Sequence, residues 1–571
     1  MFVIWVTGLT LLVLISHGIE ASNHRQRSLE SNPDEQPYRT GYHFQPSKNW
    51  MNDPNGPMYH NGVYHLFYQH NPYGPLWGNI AWGHSISPNL IDWIHLDLAL
   101  TPTDPNSDIN GCWSGSTTVL PGNKPAILYT GIDSQNRQVQ NLATPKNLSD
   151  PFLREWTKSP LNPLMTPING LNPDRFRDPS TAWRGPDNMW RVVVGAGIDG
   201  HALAVMYKSS DFVNWTRSVA PLHSSQKTAM WECPDFFPVG INGSDGDNSY
   251  LNGDQYEKKH ALKVSFDSRD YYVLGQYSPE TEEFKVETDF MDEGSDLRLD
   301  YGKFYASKSF YDSEKKRRVV WGWVNESESD ADATKKGWSG LQSIPRSVVL
   351  SKSGSQLVEW PVEEIEKLRG YKVSLQNIEL QGDLVIEISG ITASQADVEV
   401  SFEVTELEEA ESMNSSRVDP QMLCGETNAN VRGKVGAFGL KVLASDDLTE
   451  QTSIFFRIFK TNNSEEKKKY VVLMCSDQSR SSLRDGLDKT TYGTFLDLDP
   501  LQEKITLRTL IDHSIVESFG GEGRSCITAR VYPVLAINEG AHLYAFNNGT
   551  TSVKISNLNA WSMKNARIVS M

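Results

Sequence analysis

Short runs of apolar and aromatic residues recur along most of the chain, separated by Gly, Pro, Asn and Asp. Val63-Tyr-His-Leu-Phe-Tyr68, Ala126-Ile-Leu-Tyr129, Trp190-Arg-Val-Val-Val194, Tyr271-Tyr-Val-Leu274 and Arg318-Val-Val-Trp-Gly-Trp323 are of strand length and bounded by turn residues. Almost no stretch carries the sustained periodicity of a helix. Many short strands at regular spacing predict a propeller, barrel or sandwich over residues 38–358. The pattern changes at Glu359-Trp-Pro-Val-Glu-Glu-Ile-Glu-Lys-Leu-Arg369, which predicts a short amphipathic helix inside a linker, 359–375. Beyond it, Val398-Glu-Val-Ser-Phe-Glu403, Ser453-Ile-Phe-Phe-Arg-Ile-Phe459 and Tyr470-Val-Val-Leu-Met474 alternate as half-buried antiparallel strands do. A second all-β domain is therefore expected over 376–571.

The first residues depart from this texture. An apolar run to Ile15 is followed by small residues up to Ser22, which predicts a secretory signal peptide over 1–22, although no Lys or Arg precedes the run. As a membrane anchor the run is short for a span of about 20 residues. Residues 23–37 are polar and aperiodic, a disordered or processed lead. Secretion gives meaning to the Asn-x-Ser/Thr sequons at Asn147, Asn214, Asn242, Asn325, Asn414, Asn462 and Asn548, expected on the surface if glycosylated. Five cysteines allow at most two disulfides and leave a thiol over. No Cys/His cluster has metal-site spacing. The net charge of −17 argues against nucleic acid and anionic membrane as partners, which are bound through basic patches.

Candidate chemistry lies in a few patches. Trp50-Met-Asn-Asp-Pro-Asn-Gly56 holds nearly every turn-forming residue and reads first as a turn. It also sets an acid beside a Trp, and sugar rings have an apolar face that stacks on aromatics. Leu76-Trp-Gly-Asn79, Ala81-Trp-Gly-His-Ser85 and Gly111-Cys-Trp-Ser-Gly115 each place a Trp among small residues, as an accessible ring or a core one. Phe176-Arg-Asp-Pro179 joins a guanidinium to a carboxylate. Trp231-Glu-Cys-Pro-Asp-Phe-Phe237 sets a carboxylate among apolar neighbours, where desolvation disfavours the charged form and suits a proton donor. Together these patches suggest glycoside hydrolysis by paired carboxyl groups, which needs neither metal nor cofactor. Two further stretches read as decoys. Gly195-Ala-Gly-Ile-Asp-Gly200 matches a dinucleotide fingerprint, but a strand rather than a helix follows it, so a hairpin is expected. Asp512-His-Ser-Ile-Val-Glu-Ser-Phe519 offers a His, a Ser and two acids, yet adjacency is not a triad, and a packing role is expected.

At Trp50–Gly56, Phe176–Pro179, Trp231–Asp235 and Asp512–Phe519, in this order, the chain resembles glycoside hydrolase family 32, the plant acid invertases and fructan exohydrolases. The resemblance implies a five-bladed β-propeller followed by a β-sandwich. It implies Asp53 as nucleophile, Glu232 as acid/base and Asp178 as transition-state stabiliser. By the same resemblance Trp50, Asn52, Gln69, Trp77, Trp113, Ser114 and Arg177 line a fructose pocket, and Cys424 pairs with Cys475. Pro234 resembles the cell-wall type; with the acidic charge balance this implies an apoplastic enzyme held loosely by the wall or not at all. In sucrose-splitting relatives an Asp held by a nearby Lys contacts the glucose side. Here Asp267 is retained, the segment is short, and Arg269 stands near where the Lys is missing. The expected reaction is retaining hydrolysis of terminal β-D-fructofuranosides, with sucrose as substrate. The alternatives are a fructan exohydrolase, since losing a sugar-orienting group changes specificity, and a propeller that binds sugar without cleaving it.

Overall fold

A computed structural model of the chain describes residues 36–168, 170–241, 258–288, 290, 297–413, 419–461 and 469–570. The expected signal peptide, most of the lead, and the sequons Asn242, Asn414 and Asn462 lie outside the described residues. The first half is a five-bladed β-propeller. Blade 1 runs Asn49–His60, Val63–Asn71, Ala81–Ser87 and Trp93–His95; blade 2 runs Cys112–Leu120, Lys124–Ile132, Gln138–Pro145 and Trp156–Lys158. Blade 3 has a divided first strand, Phe176–Arg177 and Trp183–Arg184, followed by Trp190–Ile198 and His201–Ser209. Blade 4 runs Glu232–Gly240, Lys258–Phe266, Arg269–Ser278 and Glu283–Val286. Blade 5 runs Tyr305–Asp312, Arg317–Val324, Arg346–Leu350 and Leu357–Pro361.

The first strands of the blades pack on one another around the axis. Apolar layers fill the wedges between neighbours. Met58, Phe67 and Trp82 of blade 1 meet Ile127 and Tyr129 of blade 2, and Trp183 and Val193 of blade 3 meet Phe236, Leu262 and Val273 of blade 4. This explains why the predicted runs read as nearly continuous apolar stretches: a blade between two others buries both faces.

The second half is a sandwich of two sheets. One sheet orders its strands Arg369–Leu380, Val553–Met563, Gln395–Glu403, Ile505–Asp512, Ile515–Gly520 and Ser525–Arg530. The other centres on Gly436–Ala444, Thr452–Thr461 and Tyr470–Asp477. Phe402, Phe438, Leu440, Phe456 and Ile511 fill the space between them. Cys424 and Cys475 form a disulfide, and Cys112, Cys233 and Cys526 are buried free thiols.

Three features differ from the sequence reading. The expected linker helix is a 3₁₀ turn, Glu363–Leu368; residues 359–361 belong to blade 5 and 369–375 to the sandwich edge strand. Its acids cluster, and with Ile365 and Leu368 buried it is too short to show a helical stripe. The chain end does not stay with the sandwich: Ile568–Ser570 returns to pair in parallel with Trp93–His95, completing blade 1. The decoy Asp512 is more than packing. Its carboxylate accepts the N–H groups of Gly41 (2.6 Å), Tyr42 (2.8 Å) and His43 (2.9 Å), strapping the segment before blade 1 to the sandwich. The other decoy is the expected hairpin, with Ile198 opposite His201 and both turn residues, Asp199 and Gly200, at positive φ. Of the described sequons, Asn147, Asn214 and Asn325 are exposed, whereas half-buried Asn548 donates its amide to the Ala429 carbonyl at 3.0 Å.

Candidate active site

All five first strands begin at the same mouth of the propeller, and each is broken near its start. Register shifts fall between Met51 and Pro54, Cys112 and Gly115, Glu232 and Asp235, and Tyr305 and Lys308; in blade 3 the strand is interrupted at Asp178. A bulge leaves residues out of the ladder and re-aims their side chains. The expected turn at Trp50–Gly56 is therefore the bulged start of a strand; the Asn, Asp and Pro that signal a turn also suit a bulge. Asp178 and Cys233 sit at φ 67° and 46°, strain that concentrates at working sites.

The breaks deliver one connected cluster. Asn52 donates to Asp53 Oδ1 at 2.9 Å and to Gln69 at 3.2 Å, and is itself oriented by Trp50 Nε1 at 2.7 Å. Ser114 Oγ donates to Asp53 Oδ2, and Gln69 Nε2 to Ser114. Asp178 accepts the Cys233 N–H at 2.9 Å, and the Cys233 thiol lies 3.5 Å from Asp53 and 3.6 Å from Asp178. Arg177 pairs with Glu232 Oε1 and approaches Asp178 at 3.8 Å, while Tyr305 donates to Glu232 Oε2 at 2.6 Å. Three carboxylates thus lie in one cluster, and its guanidinium, Arg177, contacts two of them, Glu232 and Asp178. Burial, then the negative charge of Asp178, push the Asp53 carboxyl up to about 6 against the hydrogen bonds from Ser114 and Asn52. Asp178 is also raised, chiefly by burial, with Arg177 opposing. Burial also raises the Tyr305 hydroxyl, reinforced by Glu232, so it stays a donor.

Glu232 is not enclosed by apolar neighbours as its motif suggests. Its side chain is 32% exposed and held by Arg177 and Tyr305, because the aromatic residues flanking it in sequence point into the blade. Trp113 and Trp77 make a rim, ring centroids 5.9 Å apart, with Trp77 well exposed. Trp82 is a core ring. Asp267 stays outside the hydrogen-bonded cluster, on the two-residue hairpin of blade 4, paired with Arg269 at 3.3 Å.

Sequence reasoning missed Tyr305, Cys233 and Gln138, whose amide oxygen accepts from Arg177 at 3.2 Å. Tyr305-Ala-Ser carries the aromatic-then-small signature that marked the Trp patches, and would have been found by it. Gln138 has no local signal.

The chain matches the Glycosyl hydrolases family 32 N-terminal domain over residues 43–361 and the Glycosyl hydrolases family 32 C terminal over residues 364–562. It is a family 32 glycoside hydrolase. An insoluble isoenzyme of beta-fructofuranosidase from Arabidopsis thaliana is 57% identical over 557 residues, covering 96% of this chain and 92% of the relative. Fructan 6-exohydrolase of Beta vulgaris is 56% identical, covering 94% and 88%. The crystal structure of fructan 1-exohydrolase IIa from Cichorium intybus superposes with a TM-score of 0.91 at 56% identity, covering 94% of this chain and 99% of that one. In this glycoside hydrolase, three of the four motifs that carried the family resemblance, those with Asp53, Asp178 and Glu232, are gathered at the mouth by the broken strands, and the fourth, Asp512–Phe519, lies in the sandwich.

Proposed function

We propose that this glycoside hydrolase releases terminal β-D-fructofuranosyl residues with retention, by double displacement. The observation that carries the reading is the convergence of Asp53, Asp178 and Glu232 on one cluster with a single guanidinium. Asp53, braced by Ser114 and Asn52, attacks the anomeric carbon. Glu232, whose two oxygens face Arg177 and Tyr305, gives a proton to the leaving oxygen. The Asp53–fructosyl ester forms as the glycosidic bond breaks. Water then attacks it, with Glu232 taking the proton. Asp178 orients sugar hydroxyls, Arg177 stabilises the acids, and Trp50, Trp77 and Trp113 offer stacking faces.

Sucrose is the first substrate reading. In support, Arg269 pairs with Asp267 where sucrose-splitting relatives have a Lys. Fructan is the second: that pair is exposed, with Asp267 at 79%, and exposed pairs hold a side chain weakly. Two relatives above are fructan exohydrolases, and the chicory enzyme has been solved with 1-kestose. The proposed setting is secreted, in the apoplast, supported by the insoluble isoenzyme above and the cell wall isozyme of Pisum sativum at 55% identity; at most loose wall binding is proposed from the net charge of −17.

The test offers purified protein sucrose, 1-kestose, inulin and levan, and reads hexose release and the anomer first formed by NMR. Fructose released as the β-anomer is expected, and Asp267→Ala lowers sucrose turnover more than fructan turnover. Binding without release, or the α-anomer first, overturns the reading.

A further inference from the structure

The bulge that presents Glu232 leaves a backbone debt. Glu232 pairs with Ser265 and Asp235 with Lys263, so the carbonyls of Cys233 and Pro234 drop out of the ladder while buried. Buried carbonyls need donors. Here each receives an ammonium: Lys263 Nζ donates to Cys233 O at 2.8 Å, and Lys308 Nζ to Pro234 O at 3.2 Å. The two side chains are 1% and 2% exposed. Lys263 also donates to Ser307 O at 2.5 Å, inside the blade 5 bulge, and lies 3.6 Å from Asp270. Asp270 in turn accepts the N–H groups of Ala306 (3.0 Å) and Ser307 (2.8 Å). One lysine therefore ties together the bulges that carry Glu232 and its hydroxyl donor Tyr305. The other secures the segment whose N–H holds Asp178.

Two buried ammonium groups that face each other are costly to keep in a core. A fold that needed only a filled bulge has cheaper donors available in Ser or Asn. We propose that Lys263 and Lys308 are positioning residues, which lock the strained Cys233-Pro234 bulge so that Glu232, Tyr305 and the Asp178-holding N–H keep their catalytic spacing, and which place fixed positive charge beneath the carboxylates. The inference rests on the carboxylate roles proposed above. The charge acts downward on Asp178, where Lys308 opposes the rise caused by burial. The groups facing Lys308 are Cys233, Asp235, Lys263 and Asp178, and burial pushes its own pKa down.

The test compares Lys263→Met, Lys308→Met and the matching Arg variants by kcat, KM, pH profile and melting temperature. Misplacing a reacting group by about an ångström costs on the order of 100-fold. Lys263→Met is therefore expected to lower kcat about 100-fold with KM nearly unchanged. Lys308→Met is expected to move the acid limb of kcat/KM to higher pH, because the coupled Asp53–Asp178 pair that sets the limb loses a cation favouring its ionised form; Lys308→Arg keeps the limb in place and recovers part of kcat. Folded Met variants with wild-type kcat and limb overturn the inference, as do Arg variants no better than Met. If the Met variants do not fold, Lys263→Gln and Lys308→Gln keep a donor for each carbonyl. They should fold; Lys308→Gln should show the full shift of the limb, since the charge is gone, and Lys263→Gln a smaller loss of kcat, since the shorter amide does not serve both Cys233 O and Ser307 O as the lysine does; wild-type kcat and limb, or failure to fold as well, overturns it. Full activity in Asp53→Asn or Glu232→Gln would instead sink the carboxylate roles, a separately visible result.

Discussion

The propeller mouth and the sandwich hairpin Ile505–Asp512/Ile515–Gly520 are built from the same strand chemistry and used in opposite ways. In the hairpin, residue pairs run from Leu507↔Gly520 to Asp512↔Ile515 without a shift, and the outer neighbour Ser525–Arg530 follows in register. At the mouth, every first strand is broken within a few residues of its start. A regular ladder satisfies its backbone and sends side chains alternately to two faces. It cannot converge five strands' side chains on one point. Bulges can, at the cost of unpaired backbone groups and positive φ, and the neighbours then supply Lys263, Lys308 and Thr130, whose hydroxyl accepts the Asp178 N–H at 2.7 Å. Irregularity gathers the acids here, and regularity supports the fold around them.

The contrast can be broken or sharpened by substitution. Asp53→Asn, at the mouth, is expected to lower kcat/KM by roughly 10⁴-fold or more while the melting temperature holds or rises, since a buried charge is removed. Replacing Cys424 and Cys475 by Ala does the reverse. The disulfide closes a separation of 51 residues, worth about 4 kcal/mol on the chain-entropy estimate, so unfolding midpoints should drop while KM at low temperature is unchanged. A large change in KM would show that the sandwich shapes the mouth directly.

Smaller effects probe the link between the regions. Tyr305→Phe removes one charge-assisted hydrogen bond from Glu232, and about 10-fold to 100-fold in kcat is expected, from roughly 1.5–3 kcal/mol. Asp178→Asn should move the acid limb to lower pH as well as reduce activity, because Asp178 is a charge that raises Asp53; a limb left in place would assign it to another group.

The smallest effect concerns the strap. His43 Nδ1 lies 2.8 Å from Asp512 and Nε2 3.2 Å from Glu517, so only the doubly protonated ring can offer a proton to both. Burial lowers the His43 pKa, but the two carboxylates outweigh it and the net shift is upward; Asp512 and Glu517 are lowered, against burial, by His43 and by Arg346 respectively. A raised histidine contributes stability that is full below its unfolded value near 6.5 and is lost as pH rises through the folded value. The lowered acids contribute above about 4 and lose it as pH falls. The strap is thus strongest at weakly acidic pH. Raising pH from 6 to 8 should lower the melting temperature by a few degrees, and His43→Gln should flatten that slope; an equal slope in the variant counts against the pairing.

How much of this was legible depends on range. Strand content, two all-β domains and the carboxylate motifs were readable, since strand patterning and short motifs are local. The bland reading of Trp50–Gly56 as a turn and the decoy status of Asp512 were not corrected by anything local. A bulge and a turn use the same residues, and the partners of Asp512 lie at Gly41, Tyr42 and His43, more than 460 positions away. Glu232 shows the same limit: its apolar sequence neighbours are not its spatial ones.

By itself, then, the sequence determined the family, the strand-rich architecture and which acids are candidates for chemistry, because hydrophobic period and motif spacing act within tens of residues. Only the tertiary structure decided how those acids meet: the bulges at the mouth, Tyr305 on Glu232, the buried lysines beneath, the strap through His43 and the last strand closing blade 1. Each of these joins groups far apart in the chain, and backbone satisfaction and charge pairing in the interior are fixed only when distant strands close around them.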